Sequence, residues 1–517
     1  MSVSAHRVFA GSYLDSLLLM SATVAMEEQP GVEWAGAVMA TPRGVADLRE
    51  AGFDDPELAG LGANDLVLAV RGAEQDGLDG ALEAGRASAF DLREDGGARA
   101  ADEEPTSIRD AVARQPETNV AIVSVPGEYA AVEAHHALTA GLHVLLFSDN
   151  VPLAEEIELK TRASGLGLLV MGPGAGTAVL GGTGLGFANV PADRSTLTRS
   201  VGVIAAAGTG AQEVAALLDR WGVHVSQVVG VGGRDLSAEV DGEMAALAAR
   251  ALHASEQTDA VLLVSKPPAP SAAGRVLQAC GETPAVAVFL GLDELPGQPD
   301  APLEPTLERG AAAAARLVGG EPAELTTGLR DAVAGACDRL SAERTLVRGL
   351  FSGGTLCYEA QLVLEGLLGP VHSNEPLRAE RGLPAPAGAH VLLDLGAEEY
   401  TRGVPHPMID PSGRLELLRQ QAEDSSVAVV LLDVVLGHGS HPDPAGQLAP
   451  VCAELMADGG PQVVAYVLGT EQDPQVYSRQ RAALEQVGCI VPETNARAAH
   501  AAGAIARRRP ELAEAGL

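Results

Sequence analysis

The sequence predicts an α/β protein built on parallel sheets, and three observations predict it. From Asn119 onward short apolar runs alternate with amphipathic segments, the rhythm of strand–helix units stacked into a sheet with helices on its faces. One unit, VGVIAAAGTGAQEVAALL at 201–218, joins a buried strand to a helix through the tight turn Ala207-Gly208-Thr209-Gly210. A second copy, VRGLFSGGTLCYEAQLVL at 347–364, repeats the plan, with Thr355 standing for Thr209 and Glu359 for Glu213. A helix begun this way aims free N–H groups and the positive end of its dipole at one point, which attracts anions. The duplication predicts two similar sheets related by a pseudo-twofold axis, with both helix tips on one anion.

Composition bounds the rest. The chain has 517 residues, 46% apolar and 20% charged, which suits three or four globular domains. Aromatics are only 3%, so the core is aliphatic. Sixty-nine acidic residues against 35 basic ones leave a net charge of −34. That coat opposes nucleic acid and anionic membrane, so any anion site has to be local. Five scattered cysteines without a CxxC pair read as reduced thiols in a cytoplasmic protein, with neither a disulfide framework nor a zinc site. The apolar stretch Leu17 to Met26 is too short to span a bilayer and reads as a core helix.

Taken in order, residues 1–100 read as a small α/β domain: a strand at Arg7 to Ala10, a helix at Asp15 to Met26 and a strand around Val38. A charged Gly/Ala-rich linker, Arg86 to Glu104, follows. Residues 101–195 carry the strands NVAIVSV, HVLLF and GLLVM, separated by helices at Glu128 to Ala140 and Pro152 to Ser164. Ligands of such sheets sit beyond the strands' carboxyl ends, here Ser124-Val125-Pro126-Gly127 and Ser148-Asp149-Asn150. Gly172 to Gly186 reads as a shaped surface loop. Residues 196–345 carry VGVIAA, HVSQVVG, AVLLVS and AVAVFL, tipped by Gly208 to Gly210, Gly230 to Asp235, Lys266-Pro267-Pro268 and Gly291, with a loop at Pro296 to Pro305. Residues 346–517 carry VRGLF, HVLLDL, VAVVLLDVVL and VVAYVLG, tipped by Ser352 to Thr355, Gly396, Gly437-His438-Gly439 and Gly469-Thr470. The last helix is capped near Thr494 or Asn495.

The chemistry-bearing residues cluster at those tips. Gly208, Thr209, Gly210, Gly232, Gly233, Ser352, Gly353, Gly354 and Thr355 read as a phosphate or carboxylate site; the plain alternative is glycine needed for close helix–sheet packing. Arg234 among glycines can grip an anion with two N–H groups, or else pair with Asp235 at the surface. Lys266, ending an apolar strand, reads as ligand-facing. His438, His441 and Asp443, with His406 and Asp410, have a spacing that allows a metal, but nothing fixes them on one face; a general acid or anion donor is the better reading for one of these histidines. Cys357 lies in a helix's first turn, where the dipole favours thiolate, yet a buried small core residue is the better reading.

At these residues the sequence resembles a known family. MGPGAGTAVLGGTGLGFANV, VGVIAAAGTGAQEV, GVGGRDLSAEV, LLVSKPPAP, GLFSGGTLCYEAQ, PHPMIDP and LLDVVLGHGSHPDP together resemble the FdrA family over nearly the whole chain. That family is similar in turn, over about residues 119–500, to the CoA-binding and CoA-ligase domains of succinyl-CoA synthetase. The resemblance implies a Rossmann-like CoA-binding-type domain followed by two flavodoxin-like domains, with Ser124, Val125, Pro126 and Asn150 at a CoA-like site. Through the link of FdrA-type proteins to oxamate carbamoyltransferase, it implies a carbamoyltransferase subunit working with companion subunits or as a homo-oligomer. Phosphate would attack an N-carbamoyl substrate such as oxalurate to give carbamoyl phosphate, with Arg234 and Lys266 neutralising charge and His438 or His441 handling protons. The chain departs from the synthetase in three ways. Thr306 to Leu317, TLERGAAAAARL, lacks the phosphorylated histidine; Lys266 stands where the synthetase has a carboxylate; and no ATP-grasp domain fits before the third sheet. An acyl-CoA ligase or transferase subunit binding CoA is the alternative, and a non-catalytic scaffold subunit the third reading.

Overall fold

The computed structural model describes residues 3–514 except 13, 15, 28, 54, 63, 73–74, 91–104, 195–198, 296–300, 324–327 and 403. The chain forms two compact units, residues 1–104 and 105–517.

The first unit is an α/β domain, as expected. It runs β1 (Val3–Phe9), α1 (Ser16–Glu27), β2 (Val32–Met39), α2 (Pro42–Glu50), β3 (Leu66–Gly72) and α3 (Gln75–Phe90). Its sheet is antiparallel, in the order β1-β3-β2. Alternation along the central β3 explains why both faces are covered. Leu66, Leu68 and Val70 join Ala22, Met26, Leu78 and Leu82 in one core, while Val67 and Ala69 join Leu48, Phe53 and Leu58 in another. Arg86, expected to open a linker, still belongs to α3; positions 91–104 of that linker lie outside the described residues.

The second unit opens with α4 (Ile108–Arg114), β4 (Val120–Val123), α5 (Gly127–Thr139), β5 (His143–Leu146), α6 (Leu153–Leu166) and β6 (Val170–Met171), a parallel three-stranded sheet in that strand order. The segment Gly172 to Gly186 is not the loop the sequence suggested. It forms a hairpin, β7 (Thr177–Leu180) and β8 (Thr183–Gly186), and β7 pairs antiparallel with a strand of the next sheet. Thr177, Ala178 and Val179 are buried there, which a surface loop of glycines would not achieve.

That next sheet holds β9 (Ser200–Ala205), α7 (Gly208–Arg220), β10 (His224–Gly230), α8 (Glu243–His253), β11 (Ala260–Ser265), α9 (Pro270–Ala279), β12 (Ala285–Phe289), α10 (Leu307–Leu317) and α11 (Leu329–Arg339). Its order is β12-β11-β9-β10-β7-β8. The loop expected at Pro296 to Pro305 falls partly outside the described residues, and its Leu303 bridges back to Ala287. The final sheet holds β13 (Leu346–Phe351), α12 (Gly354–Leu368), β14 (Val371–Ser373), β15 (His390–Asp394), α13 (Glu398–Thr401), α14 (Ser412–Gln420), β16 (Val427–Val435), α15 (Pro444–Met456), β17 (Gln462–Leu468), α16 (Tyr477–Gln486) and α17 (Asn495–Ala506). All five strands are parallel, in the order β14-β15-β13-β16-β17. β16 is buried along its whole length, as a central parallel strand with helices on both faces must be.

The two sheets share one core. Val214 and Leu217 of α7, Ala311 and Ala315 of α10, Leu356 and Leu364 of α12, and Ala498 and Ala502 of α17 belong to a single apolar cluster. Threonine caps start two of these helices in the same way: Thr306 accepts from Arg309 N–H and Thr494 from Arg497 N–H. Such caps contribute on the order of 1 kcal/mol each. The duplication read from the sequence therefore extends to the helices that close the two halves together.

Candidate functional site

β9 and β13 each lie inside their sheets and each deliver a helix tip. α7 starts after Ala207 and α12 after Gly353, and neither N-cap side chain bonds to its helix. The tips meet within one chain. A methyl group built on Gly353 would lie 2.8 Å from Thr209 Cγ2, and one on Gly210 would lie 2.9 Å from Thr355 Cγ2. Close approach, not an unusual φ, is what demands glycine at both positions. Thr209 and Thr355 are 7% and 5% exposed.

The two tips differ in charge. Asp433, on β16, is fully buried and fills the backbone nest in front of α12: Ser352 N–H donates at 2.8 Å, Ser352 Oγ at 2.9 Å and Gly353 N–H at 2.7 Å. Buried Arg414 completes the shell with Nη2 at 2.8 Å. Ser352 and Gly353, expected to hold a ligand anion, therefore hold a protein carboxylate instead. The strand register shows what stands at the corresponding place before α7. Val264 lies beside Ala205 as Asp433 lies one step past the Leu350–Leu432 pair, and Gly230 lies beside Ala205 as Asp394 lies beside Phe351. Both carboxylates of the α12 tip are thus uncharged residues at the α7 tip.

Asp394 is the second carboxylate. It is 6% exposed, its Oδ1 accepts from Gly396 N–H at 3.0 Å, and Oδ2 lies 2.5 Å from where a methyl on Gly354 would stand. Asn374 clamps its backbone from both sides at 2.9 Å. Burial pushes its pKa up to about 6, against the pull of the Lys266 ammonium and the Gly396 N–H; Glu375 and Asp433 add to the rise. Lys266 itself is half-buried at the end of β11, with Nζ 5.1 Å from the centre of the Tyr358 ring. His406 faces the same loop, its Nε2 2.7 Å from a methyl built on Gly396, and burial lowers its pKa to about 4. It is neutral at pH 7. Cys357 is 1% exposed and burial raises its thiol well above the usual range, with Asp394 the next cause. The buried-core reading suits it, and the dipole does not make a thiolate.

Other expected site residues are used differently. Arg234 donates to Glu156 at 2.8 Å and to the Val151 carbonyl at 2.7 Å, so it ties the three-stranded domain to the next sheet. The surface pair with Asp235 is not formed either. Asp235 points inward to fully buried Lys160 at 2.9 Å and to the first N–H groups of α8. Gly232 has φ +88° and packs on Gly172, where a side chain would collide with backbone at 2.7 Å; Gly233 lies beside it on the same loop. His438 is exposed, its N–H on the Ala188 carbonyl and its ring against Gly184, while His441 Nδ1 accepts from Asp443 N–H at 3.0 Å. His438 thus meets the hairpin segment at Gly184 and Ala188, and His441 braces the loop that carries it. Among the described residues no three His, Cys, Asp or Glu side chains are grouped to hold a metal.

The strand ends of the three-stranded domain adjoin this region. Ser148 Oγ donates to the Val125 carbonyl at 2.5 Å, drawing the loops at Ser124 to Gly127 and Ser148 to Asn150 together, with Asn150 at φ 59°. Asp149 is raised by its surroundings first and next by Glu398, while Arg234 pulls the other way, so the α13 loop faces this crevice. Asn374, Glu375, Ala397, Glu398, Glu399 and Arg402 line a pocket of about 390 Å³ beside it.

Behind the tips, the paired helix glutamates cap the opposite halves. Glu213 of α7 accepts from Asn495 N–H, the first of α17, at 3.1 Å. Glu359 of α12 accepts from Leu307 N–H, the first of α10, at 2.7 Å and from Asn495 Nδ2 at 2.8 Å. Burial raises both, Glu213 strongly and Glu359 to about 7. Glu308 and Arg497 form a bidentate pair alongside, at 2.6 and 2.9 Å, with Thr494 Oγ1 on Glu308 at 2.6 Å. The segment that lacks a histidine thus begins a helix locked by these bonds.

Comparison with known proteins places the chain. The uncharacterized protein YahF of Escherichia coli (strain K12) is 36% identical over 500 residues, 94% of this chain and 95% of that protein. A succinate–CoA ligase [ADP-forming] subunit alpha 2 of Archaeoglobus fulgidus is 30% identical over 129 residues, 25% of this chain and 44% of that one. A CoA-ligase family model matches residues 350–505, and one described as AllF, heavy metal-associated domain, matches residues 1–105, a segment without cysteine. Among solved structures, the apo dinucleotide-forming acetyl-coenzyme A synthetase 1 of Ca. Korarchaeum cryptofilum aligns over 80% of this chain and 87% of its own, at 13% identity and a TM-score of 0.33.

Proposed function

We propose a function from one premise: the chain belongs to the family of Escherichia coli YahF, a family of acyl-CoA-synthetase-like build. On that premise the chain is an acyl-CoA ligase or transferase subunit. It holds a phosphate-bearing acyl anion at Gly208, Thr209, Gly210 and Lys266, and CoA along Ser124, Val125, Pro126 and Asn150. The observation that carries this reading is the uncapped α7 tip, free of any carboxylate at the positions where α12 has two, on the strand β9 that pairs with β11, after which Lys266 follows. Negative charge developing at a transferred acyl group meets fixed N–H dipoles and a cation there, which is the arrangement that lowers such barriers. The CoA-ligase match and the ligase relative support the choice of thiol partner. The crevice fits that partner in kind: α5 is 13 residues long and its N-cap Pro126 offers no side-chain cap, the kind of helix start that suits a phosphate.

Titration with CoA by calorimetry tests this. Micromolar affinity, reduced at least tenfold by Gly127→Asp, is expected; no heat at millimolar CoA overturns it.

A second reading, the FdrA-type transfer of a carbamoyl group to phosphate with companion subunits, is favoured by one observation. Helix α10 starts with a locked Thr306 cap and no histidine, so a phosphoryl relay has no carrier there. Release of carbamoyl phosphate from oxalurate and inorganic phosphate, with no CoA affinity, would select it over the first.

A further inference from the structure

A buried carboxylate stands at the end of β15, Asp394. We propose that Asp394 is the general base of the acyl transfer, taking the proton from the attacking thiol. The proposal rests on the acyl-CoA reading above and names a residue for it.

Three placements carry it. Asp394 has neighbours in both sites that the transfer has to connect: Oδ2 abuts Gly354, whose neighbour Gly353 touches Thr209 of the α7 tip, while Glu398 on the same loop acts on Asp149 in the crevice of the three-stranded domain. Its backbone is fixed by both bonds to Asn374, and Oδ1 is held by Gly396 N–H, so the second oxygen is presented in one direction. Burial keeps it from the bulk water that would otherwise level its basicity. The charged and titratable groups around it are few: Lys266 from the β11 end, Glu375 after β14, Asp433 on β16, Cys357 on α12 and neutral His406 behind Gly396. Asp433 is consumed by four hydrogen bonds, His406 cannot release or accept a proton cheaply near pH 7, and Lys266 is the cation that keeps Asp394 ionised.

The step balances. Asp394 takes the thiol proton as sulfur bonds to the acyl carbon of an acyl phosphate. The bond from that carbon to the bridging oxygen breaks, and its electron pair leaves with phosphate at the α7 tip. The products are a thioester and inorganic phosphate; Asp394 returns its proton to water.

The test uses the full chain with acetyl phosphate or succinyl phosphate and CoA, following thioester absorbance, so that no nucleotide enters. For the wild type, kcat/KM should rise with pH on a limb near 6, the value at which Asp394 loses its proton. Asp394→Asn should abolish that limb and lower kcat by about 10²–10⁴-fold, the usual share of a general base. CoA affinity, measured separately by calorimetry, should stay within twofold, which shows that the variant is folded and its crevice intact. A wild-type profile flat from pH 5 to 8, or an Asp394→Asn enzyme within fivefold of wild type, overturns the role of Asp394 while leaving the acyl-CoA reading standing. CoA binding without thioester formation from either donor overturns the role too, and absence of CoA binding removes the reading beneath it.

Discussion

The two glycine tips of this chain are built from nearly the same sequence and do different things. Both follow a buried strand, both begin a helix at Gly-Thr, and each threonine touches the glycine turn of the other. At α12 the backbone nest closes on Asp433, Arg414 neutralises it, and Asp394 stands in front. At α7 the matching positions are Val264 and Gly230, and no carboxylate stands at either. The lesson concerns what a helix terminus attracts: an anion, whatever its source. One half supplies the anion from its own β16, so the other half is the one open to a ligand.

Breaking the Asp433–Arg414 pair should have the largest effect. Arg414→Met leaves a fully buried carboxylate with its N–H donors but no counter-charge, expected to cost about 3–5 kcal/mol in urea unfolding. A loss below about 1 kcal/mol would mean that the nest alone neutralises Asp433, and the contrast between the tips would then be one of geometry only.

The next effect lies behind the tips. Glu359 has its folded pKa raised to about 7, above the ordinary carboxylate range, so its protonated form is favoured by folding. The sign follows: its contribution to stability is full below the unfolded pKa of about 4.5 and is lost as pH rises through about 7. Glu359→Gln keeps an acceptor for Leu307 N–H and removes the titration. Chemical denaturation should show the wild type losing on the order of 2 kcal/mol between pH 5 and 8 relative to this variant. Parallel curves would mean that folding does not raise the Glu359 pKa.

The comparison is sharpened most directly by the threonines, though the energy involved is smaller. Thr209→Val should weaken inorganic phosphate binding about tenfold, the worth of one hydrogen bond to a charged group, while Thr355→Val should change it less than threefold. Thermal shift against phosphate concentration reads both. Equal losses would make the two tips equivalent ligands of one shared anion.

Much of the architecture was legible without coordinates because it rests on local periodicity. The strands of both large sheets, the caps at Thr494 and the turns at Gly208 and Gly353 all follow from apolar runs and glycine placement. The hairpin at 177–186 is not legible in the sequence, since its glycines look like a loop until β10 supplies a partner. Arg234's protein partner is hidden for a related reason: guanidinium chemistry is the same toward a ligand as toward Glu156. Asp394 and Asp433 lie inside the strands HVLLDL and VAVVLLDVVL, and a carboxylate near the carboxyl end of an otherwise apolar parallel strand is a signal that the sequence does carry.

By itself the sequence determined that two strand–turn–helix units recur and that each would gather N–H groups at a point, because backbone geometry and dipole depend only on neighbours along the chain. Tertiary structure alone decided which point stays open. A side chain far away in sequence, Asp433 on β16, comes within 2.8 Å of Ser352 N–H only when the sheet is assembled. Electrostatic occupancy is a property of what ends up adjacent in space, and no local pattern records it.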